Sequence, residues 1–201
     1  MDGPVARPEV SAFGPRPVAR AGVLPDVVLG TAIFVAVEMM LFAGFISAHT
    51  IIEAAYPPGA WPPPDQPRLP VEVTALTTTM LLASGLTLWR AGRRFASDPA
   101  GAAPILNLAI ALGAVFIGVQ GVEWARLISE GLTLSSSTFG AFFYLIVGTH
   151  ALHAIPALAV LGWAAMGLRK GTLTADAFAA VRLFWYFVVL VWPVLYVLVY
   201  L

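Results

Sequence analysis

Five apolar runs, each of about 20 residues or more, constrain this chain more than any other feature of its sequence. A run of that length with few charges is what a helix needs to cross a bilayer. The runs lie at roughly Val27–Ile52, Val71–Trp89, Pro104–Ile128, Thr138–Leu168 and Ala177–Leu201. In hydrocarbon every backbone N–H and C=O must be satisfied within the protein, so spans of this kind are helical. The expected fold is all-α, a polytopic bundle of five transmembrane helices. Composition agrees: 11% of the 201 residues are charged and 59% are hydrophobic, whereas a soluble domain carries about 25% charged residues. Such a chain cannot cover a water-facing surface. The first, third and fourth runs exceed the minimum, which implies tilt or protruding ends.

Between the runs stands the punctuation a helix bundle needs. Tyr56–Pro70 holds seven prolines, which excludes helix there. Asp98–Pro99 and Gly101 mark the next turn. Ser135–Ser137 offer a cap for the fourth helix, and Gly167 and Gly171 bracket its end. Residues 1–24 are polar and broken by Pro4, Pro8, Pro15 and Pro17. They lack the apolar core of a signal peptide and read as a cytoplasmic tail, followed by a five-helix domain over 25–201. Basic residues set the expected orientation. Arg7, Arg16, Arg20, Arg90, Arg93, Arg94, Arg169, Lys170 and Arg182 fall on one side, against Arg68 and Arg126 on the other. The amino terminus is expected inside and the carboxy terminus outside, in the periplasm.

Several function classes are excluded at this stage. Net charge is zero and no basic stripe exists, so no nucleic-acid partner is expected. Cysteine is absent, which removes disulfides, thiolate zinc sites, iron–sulfur clusters and a C-x-x-C-H haem attachment.

Ionisable residues inside spans are costly, and they mark function or internal pairing. Glu38 lies about 11 residues into the first run, roughly 16 Å deep at 1.5 Å per residue. His150 and His153 sit near the middle of the fourth run, on one face. Glu123 and Arg126 share a face in the outer third of the third run, and His49 lies at a similar depth in the first. One reading pairs them between helices: Glu38 with a midplane His, and His49 with Glu123. A proton-relay or gating role is the second reading. A metal site is the third, although no E-x-x-H or H-E-x-x-H spacing occurs. Pro156 is expected to kink the fourth helix beside His153. Ala32/Ala36 and Gly44/Ala48 form small-xxx-small pairs suited to close helix packing. The aromatic residues of the last run, including Trp185, Tyr186, Trp192 and Tyr200, read as interfacial belts in contact with lipid.

Taken together, five strings resemble subunit III of the haem–copper terminal oxidases. They are Glu38–Met39–Met40–Leu41–Phe42 leading to Ala48–His49; Trp61–Pro62–Pro63 followed by Thr77–Thr79 and Ser84; Gln120–Gly121–Val122–Glu123–Trp124; Phe139–Gly140 with Gly148–Thr149–His150–Ala151–Leu152–His153; and Phe184–Trp185–Tyr186–Phe187–Val188 with Trp192 and Tyr200–Leu201. They occur in the family's order and cover nearly everything after the tail. Short bacterial members have five helices, with the amino terminus inside. The family's usual His and Asp in the last helix are replaced here by Tyr186 and Val189.

The resemblance implies an accessory, non-redox subunit of an aerobic terminal oxidase in the bacterial inner membrane. It implies packing against catalytic subunit I and other respiratory subunits, with haem and copper in those partners and none in this chain. It implies structural phospholipids in a cleft between helices one–two and the rest of the bundle, support of proton uptake, and a route for oxygen. The site residues it implies are a structural polar network of Glu38, His49, Glu123, Arg126, His150 and His153, with Glu38 as the main anchor. The replaced residues point to divergent branches as well: a quinol oxidase subunit, a nitric-oxide-reductase-associated homologue, or an oxidase within a larger assembly. An independent proton-coupled transporter is the competing class.

Overall fold

A computed structural model describes residues 25–63 and 66–201; the tail expected over 1–24 lies outside the described residues. Five helices make up the fold: α1 (Asp26–Ala54), α2 (Val71–Phe95), α3 (Pro99–Ser129), α4 (Thr138–Lys170) and α5 (Ala175–Tyr200). Each is long and apolar enough to cross a membrane, and no strand occurs among the described residues.

Local chemistry explains the helix ends. Asp98 caps α3 by accepting from the Gly101 N–H at 2.8 Å, with Pro99 in the first helical position. Proline is suited to that position because the missing N–H has no intrahelical acceptor there. The Asp98–Gly101 stretch is therefore the start of α3 rather than a free turn, and Pro104 lies inside the helix. Ser137 caps α4 through the Gly140 N–H at 2.9 Å. Gly171, at φ +68°, ends α4. Its N–H reaches the Leu168 carbonyl and that of Thr172 reaches Gly167, a closure that needs a left-handed residue. The helix continues on both sides of Pro156. Arg93 and Arg94 form the last turn of α2 rather than a loop, where cations are favoured by the helix dipole.

At the centre of the bundle, α5 packs on α1, α2 and α4, while α3 joins α2 to α4. α1 rests on α4 and α5 and does not touch α2. The cleft expected between a helix-one–two pair and the remaining helices is therefore absent among the described residues. Between α1 and α5 there is instead an apolar groove of about 440 Å³, lined by Met39, Phe42 and Ile46 on one side and by Tyr186, Leu190 and Val194 on the other.

The aromatic residues of α5 correct a second expectation. Trp185 and Trp192 are 0% and 1% exposed, and Tyr200 is buried as well. They form the core rather than a lipid belt, because an indole N–H is costly in hydrocarbon unless it finds an acceptor. Trp185 donates to Ser84 Oγ at 3.1 Å, and Ser84 donates onward to the Ala109 carbonyl at 2.7 Å. Trp192 donates to Thr78 Oγ1 at 2.8 Å. Gly113 makes room for this packing: a Cβ there would lie 2.6 Å from the Trp185 ring. Of the small-residue pairs on α1, Ala32 is half-buried while Ala36, Gly44 and Ala48 face outward among the described residues.

Candidate functional site

Glu38 of α1 and His153 of α4 meet inside the bundle, with Oε2 3.1 Å from Nε2. His153 Nδ1 lies 2.8 Å from the Thr149 carbonyl. A carbonyl can only accept, so Nδ1 carries a hydrogen and Nε2 is the atom turned to the carboxyl group. Between Nε2 and Oε2 there is then room for one proton. With one proton between them, the two groups are either a carboxylic acid against neutral imidazole or a carboxylate against imidazolium. The approach is off the ideal line, and Oε2 has no aligned donor. Rings of Phe34, Phe42, Phe184 and Phe187 stand 5.8 to 6.5 Å from the imidazole. This cage excludes water and disfavours a lone charge.

His150, one turn earlier and 2% exposed, shares the Phe42 ring with His153, at 6.4 Å. The His150 ring lies 4.9 Å from Trp192, and its Nε2 has no hydrogen-bond partner among the described residues. His49 is paired differently from the expectation. Its nearest acid is Glu53, one turn on, with Nδ1 to Oε2 at 3.8 Å. The ring is covered by Trp61 and Phe142. Glu123 cannot reach it, because α1 has no contact with α3. Arg126 pairs with Glu130 at 2.9 Å on the exposed end of α3. The six candidate residues therefore do not form one network. Glu38 and His153 make a pair and Arg126 binds an acid on its own helix, while His49 only approaches one, at 3.8 Å.

The sequence matches the family described as Cytochrome c oxidase subunit III over residues 19–201. The chain belongs to the cytochrome c oxidase subunit III family. A probable cytochrome c oxidase subunit 3 of Nocardia farcinica is 31% identical, over 86% of each chain. The Sus scrofa cytochrome c oxidase subunit 3 is 32% identical, over 85% of this chain and 67% of that one. The protein of that name from Corynebacterium diphtheriae is 29% identical, over 86% of both.

Within this subunit III chain, the two unusual residues of α5 have clear surroundings. Val189 is 4% exposed and packs against Gly85, where a Cβ would lie 2.9 Å from its Cγ1. An apolar side chain suits that dry contact between α2 and α5. Among the described residues neither the Tyr186 hydroxyl nor Arg182 Nε, one turn apart, has an aligned hydrogen-bond partner, and the two side chains lie against each other. The Arg182 guanidinium lies against the bare backbone at Gly92 and over the Phe178 ring at 5.2 Å. Sequence reasoning named Thr78 and Ser84 only within the family strings and missed their part in binding α2 to its neighbours, through Trp192 and Trp185. Their helical spacing on a membrane span was the available signal, since such hydroxyls join helices in lipid.

Proposed function

We propose that this chain is an accessory, non-redox subunit of a bacterial terminal oxidase, holding phospholipid and supporting proton uptake beside catalytic subunit I. The observation that carries the reading is the caged Glu38–His153 pair. It ties α1 to α4, which it meets at few other points, and so keeps the apolar groove between α1 and α5 in shape. That groove, walled by apolar side chains of both helices, suits acyl chains. A groove of this kind also dissolves oxygen better than water does, in keeping with an oxygen route. The donor set of this chain does not fit a haem or copper centre. It has three His and no Cys, and no group of three ligating side chains gathers among the described residues. In this reading the redox metals belong to partner subunits.

The basic residues support an orientation with the amino terminus in the cytoplasm of the inner membrane. Arg90, Arg93, Arg94, Arg169, Lys170 and Arg182 lie toward one end of the bundle, and Arg68 and Arg126 toward the other. The test is a visible spectrum and mass-spectrometric subunit census of the tagged protein purified in mild detergent. Reducible haem bands together with a multi-His membrane subunit are expected. A colourless, partner-free preparation overturns the reading in favour of a proton-coupled transporter.

A further inference from the structure

Two guanidinium groups at the basic end of the bundle lack a counter-charge. Arg182 of α5 reaches across to the bare backbone at Gly92 of α2, and Arg93 lies over the Trp89 ring at 5.0 Å. Among the described residues neither has an acid within ion-pair distance, whereas Arg94, next to Arg93, is met by Asp98 at 2.7 Å. Helix geometry brings the two cations to one seam. Gly85, Trp89 and Arg93 follow one i, i+4 row of α2, and Gly85 meets Val189 of α5. Ser84, one position back around the helix, faces α3 through its bond to Ala109. Trp89 and Arg93 therefore lie on the side of the α2–α5 contact away from α3, where Trp89 is 46% exposed. Tyr186 lies against Arg182 on the matching edge of α5.

Depth and neighbours point to the occupant. Gly92 is three residues from the end of α2, and Phe178, whose ring lies under the Arg182 guanidinium, is three residues from the start of α5. That is about 5 Å from the helix ends at 1.5 Å per residue. Arg182 thus carries its charge from within a span toward the membrane surface, as long cationic side chains do. Toward the bilayer centre the same edges carry exposed leucines, Leu82 and Leu86 on α2 and Leu190 on α5. Unpaired cations and an indole at headgroup depth, above an apolar track, match a phospholipid lying lengthwise, with its phosphate at the guanidinium groups and an acyl chain on the leucines. A zwitterionic headgroup would bring an ammonium to cations that no acid offsets, so the charge pattern favours an anionic one. We propose that the α2–α5 seam binds an anionic phospholipid, with Arg182 and Arg93 as its phosphate ligands. This site rests on the lipid-holding role proposed above and adds to it a second position and a headgroup charge.

The deciding experiment is native mass spectrometry of the intact, delipidated complex, titrated with phosphatidylglycerol or with phosphatidylethanolamine in detergent micelles. Wild type should hold one more phosphatidylglycerol than the complex carrying both Arg93→Gln and Arg182→Gln, and each single variant should weaken that binding about fivefold. Phosphatidylethanolamine binding should be the same in all of them. Arg126→Gln, at the opposite end and already paired with Glu130, is the control expected to bind as wild type does. Equal phosphatidylglycerol binding by wild type and the double variant, in complexes that keep their haem-bearing partners, overturns this site and leaves the oxidase-subunit reading standing. A difference of the same size for phosphatidylethanolamine overturns the anionic preference. If the double variant does not assemble, a cryo-EM map of the wild-type complex decides: headgroup density at Arg182 with a chain along Leu86 bears the site out, and a partner's carboxylate or helix in the seam overturns it.

Discussion

Replacing Glu38 with Gln and with Ala separates two accounts of the Glu38–His153 pair. His153 Nδ1 is committed to the Thr149 carbonyl, so in the neutral ring Nε2 is an acceptor. The carboxamide introduced by Glu38→Gln can donate to it, so this variant should preserve the contact. Glu38→Ala leaves Nε2 facing only the phenylalanine cage. The two side chains are 16% and 12% exposed, so the group left bare is largely desolvated, at a cost of about 1–3 kcal/mol. At 1.4 kcal/mol per factor of ten, that is roughly a 5- to 140-fold loss in the ratio of retained to released subunit. The assay is a detergent titration of the purified complex, with retained subunit III quantified by mass spectrometry and turnover lifetime followed in parallel. Glu38→Gln should stay close to wild type, and the double variant Glu38→Leu with His153→Phe should recover part of the loss, because neither partner is left bare. If Glu38→Gln is as damaging as Glu38→Ala, the pair works as a carboxylate–imidazolium and the account with a neutral imidazole accepting at Nε2 is refuted. If neither changes retention or lifetime, the anchor role is refuted.

Three further outcomes are expected. Ser84→Ala strands the buried Trp185 N–H and frees the Ala109 carbonyl, which should lower stability by about 1–3 kcal/mol in thermal unfolding of the detergent-solubilised complex. Gly113→Ala drives a Cβ to 2.6 Å from a fully buried indole and should cost about 1–3 kcal/mol through overpacking; Gly121→Ala, which meets no atom within 4 Å, is the neutral control in the same melt. At Asp98, the Gly101 N–H and then Arg94 hold the carboxyl below its ordinary value of 3.8. Its stabilising contribution is complete above that value and fades as pH falls through the lowered one. Wild type and Asp98→Ala should therefore differ in melting temperature at pH 7 and converge toward pH 3, whereas a gap that widens on acidification contradicts the assignment.

The sequence alone determined the five spans, the ends of α4 at Ser137 and Gly171, and the family, while the cap of α3 at Asp98 emerged only from the structure. These depend on local chemistry: length of apolar run, proline placement, and side chains that reach backbone groups three residues away. It also placed Glu38 within reach of a midplane histidine, because a buried acid needs a partner and few were available. What it could not decide was which face of each helix turns inward. The last span is apolar around its whole circumference, so periodicity does not distinguish a lipid-facing tryptophan from a core one. Only the positions of Ser84 and Thr78 on α2 draw Trp185 and Trp192 inside. Helix adjacency was equally hidden. Because α1 lies against α4 and α5 rather than α2 or α3, Glu53 replaces Glu123 beside His49 and the expected cleft between helices one–two and the rest does not form. In its place the tertiary packing forms a groove between α1 and α5. Local signals set where each helix begins and ends, but its neighbours depend on contacts between residues far apart in the chain.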